Sequence, residues 1–283
     1  MLSKCPLWLF FFLWPGLAHA GDSGLPIGAR SRALGQSVVA LSDQFAVVNN
    51  IAGIAGIGDI SGFASYHSYY GFEGLSTLAF GAILPVNKDL AAGFSVQRFG
   101  DKLYNELSFG VGAGHRINRV SLGVRINYRQ IAVNAPSLAL SKKALVVEMG
   151  GIAQLSSTVY MGAHVYNLTR SGPQGESTER VPTILKVGLA YLPTSAVKLT
   201  AEMVKDTDYP ASVRAGLEYE VVKQLFLRTG IATKPYTTHF GMGFKGSSFS
   251  IDYAFTSHPQ LGASHHFTLG YLLSKNKEPG LTD

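Results

Sequence analysis

From Val120 to Tyr128 every second residue is apolar (Val120, Leu122, Val124, Ile126, Tyr128), and the residues between are small or polar: Ser121, Gly123, Arg125, Asn127. Period two is the signature of a strand with one apolar and one wet face. The same alternation recurs in Leu107–Gly114, Leu185–Tyr191, Phe249–Phe255 and His266–Tyr271. After residue 60 it predicts fourteen strands, over 60–69, 75–84, 89–98, 104–115, 119–130, 143–154, 158–167, 182–191, 196–205, 210–219, 224–232, 237–245, 248–256 and 264–273. The connections alternate as well. Pro85–Lys88, Arg116–Asn118, Leu155–Ser157, Pro193–Ser195, Glu220–Lys223 and Gly246–Ser247 are tight, whereas Ile131–Lys142 and Leu168–Val181 read as long loops.

Strands of about 9–12 residues with short turns at one end and longer loops at the other are the grammar of a membrane barrel. An even strand number returns both barrel ends to the short-turn side. A soluble sandwich needs neither this odd–even rule nor a strand face apolar at nearly every site. The expected fold class is therefore all-β: an antiparallel transmembrane β-barrel of about 14 strands, preceded by a short helical and irregular hatch. Outward Tyr128, Tyr191, Tyr219, Tyr253 and Tyr271 read as interface aromatics near strand ends.

Composition sharpens this picture. Hydrophobic residues make up 46% of the 283, aromatics 11%, glycines number 32, and charged residues are only 15%, against roughly 25% in an ordinary soluble domain. Beyond residue 20 no stretch reaches the length of an apolar helical span. The net charge of +6 is spread along strands without a basic cluster, so nucleic acid is not an expected partner; lipid of the outer membrane is.

The N-terminus divides in two. Lys4, the apolar run Pro6–Leu17 and Ala18-His19-Ala20 have the form of a secretory leader cleaved after Ala20. Cys5 is the only cysteine and falls within that leader, which leaves no thiol chemistry to the mature chain. Residues 21–59 lack strict alternation but carry Val38, Val39, Leu41, Phe45, Val47 and Val48, which need burial. This segment is expected to fold inside the barrel mouth as a plug. The barrel then occupies 60–273, followed by a polar tail at 274–283 where many barrels end on an aromatic residue.

Candidate chemistry lies on the inward faces. Alternation places Arg125, Arg129, Glu148, Lys186, Lys198, Glu202, Arg214, Glu218, Arg228 and Asp252 there. Mixed signs on adjacent strands point to mutual pairing that braces the lumen, because an unpaired charge in a narrow interior is costly; lining of a solute path is the competing reading. His265 and His266 face opposite ways, and His115, His164 and His239 lack an acid or cysteine companion at ligand spacing, so no metal or other cofactor is expected. Ser250, Asp252 and His266 lie on neighbouring strands, but such sets arise by chance in serine-rich strands and no enzyme activity is expected. Asn167-Leu168-Thr169, a formal glycosylation sequon, reads as a polar loop start.

The most specific motif is in the plug. Gly28-Ala29-Arg30, Gly35, Ala40-Leu41-Ser42-Asp43, Ala46 and Asn50-Ile51-Ala52-Gly53-Ile54-Ala55 resemble the opening of the PorV/PorQ family and, more loosely, of the FadL-like barrels. Gly28, Arg30, Gly35, Asp43, Asn50 and Gly53 carry the match; Ile51 stands where that pattern has proline. The resemblance implies a fourteen-stranded barrel with an N-terminal hatch in the outer membrane of a Gram-negative bacterium, with an envelope of the Bacteroidetes type. It further implies a non-enzymatic accessory of type IX protein secretion or surface attachment, with secretion-system proteins or secreted cargo as partners. The alternatives are a FadL-like transporter of hydrophobic small molecules and a purely structural barrel. For the wall, Leu122→Arg is expected to impair assembly and Gly123→Ala to be milder.

Overall fold

The computed structural model describes residues 24–135, 138–172 and 181–273; the predicted leader and the polar tail lie outside the described residues. The strands in chain order are β1 Ile60–Ser68, β2 Ser76–Pro85, β3 Leu90–Gly100, β4 Tyr104–Ile117, β5 Val120–Ala135, β6 Leu138–Gln154 and β7 Val159–Tyr166. They continue as β8 Ile184–Tyr191, β9 Val197–Asp206, β10 Ser212–Val222, β11 Leu225–Thr233, β12 Tyr236–Lys245, β13 Phe249–His258 and β14 Gly262–Leu273. Each pairs antiparallel with its sequence neighbours, and β1 closes on β14 from Ile60↔Leu273 to Ser68↔His265. Closure satisfies the strand backbone internally and leaves no open edge, the condition for strands to stand in lipid.

The faces follow the alternation. Leu122 and Val124 are 44% and 49% exposed, whereas Arg125 and Asn127, on the opposite face just beyond them, are 2% and 3% exposed. Similar outward apolar residues occur around the ring, including Leu78 on β2, Leu189 on β8, Leu227 on β11 and Leu269 on β14. A soluble monomer rarely carries a contiguous apolar surface of this extent. An apolar solvent is the environment such a wall requires.

One predicted loop is strand. β5 and β6 continue past Gln130 to a hairpin whose register runs Ile131↔Lys142, Val133↔Leu140 and Ala135↔Leu138. On the other side Tyr104 pairs with Val133, and Asn134 N–H donates to the Leu103 carbonyl at 2.8 Å. Lys142 falls in the expected loop and Lys143 opens the expected strand 143–154, yet both stand in β6, paired with Ile131 and Gln130 of β5. The extension also leaves Tyr128 in the middle of β5 rather than near its end. Tyr191, Tyr219 and Tyr271 do lie toward the short-turn end, all exposed.

The plug occupies the lumen. It comprises α1 (Ala29–Ala33), α2 (Ala46–Asn49) and a 3-10 turn (Ile51–Ile54). Helices of four or five residues have no stability of their own in water; here the wall supplies it. Ile27, Phe45, Val47, Ile51 and Ile54 form one core with Phe63, Ala79, Ile83 and Ala91 of β1–β3, and the Phe45 and Phe63 rings lie 5.1 Å apart. Burial of each large side chain in that core contributes roughly 1.5–3 kcal/mol. Val38 and Leu41 pack near Ala190 of β8, and Ala29 and Ala33 pack on Ala254 of β13.

Candidate functional site

The plug motif consists of fastenings. Gly28 precedes α1 beneath the Phe45 ring. Arg30 donates from Nε and Nη2 to the two Glu218 oxygens at 2.7 and 2.9 Å, and its Nη1 meets Asp43. Asp43 also accepts the Phe45 N–H at 2.9 Å. Gly35 has φ +62°, and an added Cβ would sit 2.5 Å from the Ala215 carbonyl oxygen and 2.7 Å from the Ile231 nitrogen. The plug chain therefore crosses the wall backbone with no room for a side chain. Asn50 is fully buried; its Nδ2 donates to Val39 O at 2.6 Å and to Gly151 O and Ala163 O at 3.3 Å. Gly53 packs against the Leu41 carbonyl. Ile51, in place of proline, starts the 3-10 turn and fills the core.

Asn49 was not among the expected residues. It accepts the Ile27 N–H at 2.8 Å and donates to Ile27 O at 3.0 Å and to Ser31 Oγ at 3.0 Å, so it pairs with the chain as a strand would. Two adjacent asparagines in a small-residue stretch carried no signal of this.

The inward charges fall into clusters. Glu218 is the centre of the largest: besides Arg30 it accepts Arg228 Nε at 2.7 Å and Lys198 Nζ at 3.2 Å, and Arg228 Nη1 reaches Asp252 at 2.6 Å. Arg125 binds Glu148 at 3.1 Å, on the register Arg125↔Glu148, and donates to Ser95 Oγ at 2.7 Å. His164 Nε2 lies 3.3 Å from the other Glu148 oxygen; the two residues stand on the adjacent strands β7 and β6, a pairing that cannot be read from spacing along the chain. Arg129 joins Glu106 at 2.5 Å and Tyr166 Oη at 2.9 Å. Glu202 accepts the N–H groups of Val38 and Val39 at 2.8 Å each, with Arg214 at 3.8 Å. Lys186 Nζ donates to Gly24 O at 2.8 Å. The charges thus brace wall to wall and wall to plug.

The remaining candidates separate. Ser250 meets Gln44, Asp252 meets Arg228, and His266 lies opposite Ala254, four residues beyond Ser250 on β13, so the structure does not bring the three together. His266 Nδ1 instead meets His67 Nδ1 at 2.8 Å, and its Nε2 meets Thr256 Oγ1 at 3.1 Å. No group of three metal-ligating side chains occurs among the described residues. Asn167 is buried, and its Nδ2 donates to Ser171 O and Val181 O at 3.1 and 2.8 Å, so it shapes the loop from within.

Space remains beside the plug among the described residues. One pocket, of about 50 Å³, lies among Gln97, Ser108, Arg125 and Glu148 and has room for a few waters. Another is a cavity of about 470 Å³ at the end away from the short turns. Leu25, Tyr69, Tyr70, Phe99, Ile184 and Val204 wall it. Polar groups line it as well: Arg32 and Gln36 of the plug, then Arg214, Thr237, Thr256 and His266 of the wall. Its size and apolar walls suit a small organic ligand.

No protein-family model matches the sequence, and no curated protein matches it. Solved structures do. The toluene transporter TbuX of Ralstonia pickettii superposes with a TM-score of 0.65 at 12% identity, over 89% of this chain and 99% of that one. The toluene transporter TodX of P. putida gives 0.67 at 11% identity, over 89% and 100%. A FadL homologue of Pseudomonas aeruginosa gives 0.61 at 13% identity, over 87% and 98%. At such identities the likeness is one of fold: this chain's closed fourteen-stranded barrel has the fold of these three proteins.

Proposed function

We propose that the protein is a channel in the outer membrane of a Gram-negative bacterium that admits small hydrophobic molecules, with residues 24–59 as its plug. The observation that carries this reading is the 470 Å³ cavity, apolar in its walls, which opens at the long-loop end and rests on the plug. The fold shared with two toluene transporters supports it. The secretion-accessory role implied by the PorV/PorQ-like opening gains no support from these likenesses, because the motif residues are spent on fastening the plug. Non-enzymatic action follows from the same reading.

For passage the plug must shift. Ala33 and Ala254 pack together across the plug–wall boundary, and no cysteine lies outside the predicted leader. The double variant Ala33→Cys/Ala254→Cys provides a reversible lock. In a host lacking its own channels for hydrophobic compounds, the native chain is expected to raise uptake of labelled toluene several-fold, and oxidation of the double variant to abolish the gain until a reductant is added. Uptake no greater than in the empty host would refute the transport reading.

A further inference from the structure

On the outward face of β3–β6 two cations share one row. The strand registers set it: Leu78↔Arg98, Arg98↔Leu107, Leu107↔Gln130 and Gln130↔Lys143. Arg98, Leu107 and Lys143 are exposed. Past Leu78 the same row continues into Tyr66, Phe267 and Tyr253, which carry no charge. One row closer to the short turns stand Phe80, Val96, Phe109, Tyr128 and Leu145, and the next is Ala82, Phe94, Val111, Ile126 and Val147. On the other side of the cations the row is Gly100, Asn105, Ala132 and Ser141. Arg98 and Lys143 therefore mark the upper rim of the apolar wall, at the end away from the short turns, where acyl chains give way to head groups.

Three strand spacings separate the two cations, about 14 Å of wall. The gap is wider than one phosphate and suits a sugar head group with a phosphate at each end. Gln130, between them, makes only long hydrogen bonds, from Tyr128 Oη at 3.3 Å and to Ser141 Oγ at 3.4 Å. The acids of this stretch turn elsewhere. Glu106 faces inward to Arg129, and Asp101 accepts the Leu103 and Tyr104 N–H groups in the β3–β4 turn.

We infer that this rim binds a phosphorylated glycolipid of the outer leaflet. Its phosphates meet Arg98 and Lys143, its sugar lies over Leu107 and Gln130, and its acyl chains run down the rows that begin at Phe109, Tyr128 and Leu145. A guanidinium matches phosphate oxygens in parallel hydrogen bonds, and an ammonium meets phosphate as a point charge. Gln130 and Lys143 belong to the ribbon of β5 and β6, so the bound lipid also holds the base of that ribbon. This inference rests on placement in the outer membrane and is independent of what the cavity admits.

The test is binding of a fluorescently labelled, acylated disaccharide bisphosphate to the detergent-purified native chain, competed by the unlabelled lipid, by its phosphate-free analogue and by phosphatidylglycerol. The bisphosphate is expected to compete better than either by on the order of tenfold, since each basic residue beside an anionic head group contributes a factor of a few. Arg98→Gln/Lys143→Gln is expected to remove that advantage with the heat-modifiable gel shift retained. Lys205→Gln, at an exposed cation of β9, is expected to leave it unchanged. A phosphate-free analogue that competes equally, or a double variant that binds as the native chain does, overturns the phosphate assignment. Phosphatidylglycerol competing as well as the bisphosphate overturns the glycolipid, and an equal loss in Lys205→Gln overturns the location. Toluene uptake together with any of these results removes this inference alone, whereas a chain soluble without detergent removes the membrane reading with it.

Discussion

Asn50 shows at the scale of one residue how the plug is held. Its amide spans the plug's own Val39 and the carbonyls of β6 and β7, and it is fully buried. Asn50→Ala leaves those acceptors without a donor, at a cost of about 1–3 kcal/mol. The expected result is faster proteolysis within residues 24–59 with the barrel's heat-modifiable shift retained; unchanged proteolysis would show that Asn50 does not hold the plug. Gly123→Ala is expected to be milder than Leu122→Arg but not neutral, since an added Cβ would lie 2.8 Å from the Ala52 nitrogen and 2.9 Å from the Ile51 carbonyl carbon. Gly123→Ala therefore forces the 3-10 turn off the wall. Leu122→Arg fails for a different reason: an arginine facing lipid near mid-strand costs roughly 2–4 kcal/mol. Assembly yield in vesicles is expected to fall for Leu122→Arg, whereas Gly123→Ala assembles and loses protease protection of the plug. The alternation made the facing of both residues legible. It could not show what lay against the inward one.

At the scale of elements, β5 and β6 bring Arg125 and Glu148 into register, and Ser95 and His164 on β3 and β7 complete the cluster. Removal of one partner strands a buried charge, so Arg125→Met is expected to cost about 3–5 kcal/mol, and Arg125→Met/Glu148→Leu much less. Urea midpoints in a fixed detergent decide the point: a double variant as weak as the single one would show that the pair holds something beyond itself. The inward position of each charge was readable from period two, and mutual bracing was the favoured reading of the mixed signs. The individual partners were not readable. Glu218 gathers Arg30, Lys198 and Arg228 from the plug, β9 and β11, and no spacing along the chain encodes such a meeting. The ribbon at the top of β5 and β6 was missed for a related reason. Past the apolar band a strand need not alternate apolar with polar, and it then looks like loop.

At the scale of the whole molecule, the plug fills a ring that would otherwise be hollow. Small inward residues accommodate it: the wall glycines Gly114 and Gly216 lie against the plug backbone at Ile51 and Leu34. Excision of residues 27–56 is expected to leave an assembled barrel, because the strand ladder closes without them. It is also expected to raise conductance in planar bilayers from near-closed to a steady pore. An assembled but still closed barrel would refute the role of the segment as plug. The cavity exists only at this scale, since its lining comes from the plug, from the β1–β2 connection and from strands as distant as β3, β8, β10 and β14.

The sequence by itself determined the barrel. A period-two face that is apolar at nearly every outward site has few stable settings, and strand number and inward–outward assignment follow from that local pattern and from turn length. It also marked the plug, through apolar residues without a strand period and through a motif rich in small residues. Only the tertiary structure decided which inward charges pair, that Asn49 and Asn50 fasten the plug, and that Gly123 has no room for a methyl group. These are distances between residues far apart in the chain. They are set by the order in which strands close and by the depth at which the plug sits, and neither is written in the alternation of any one strand.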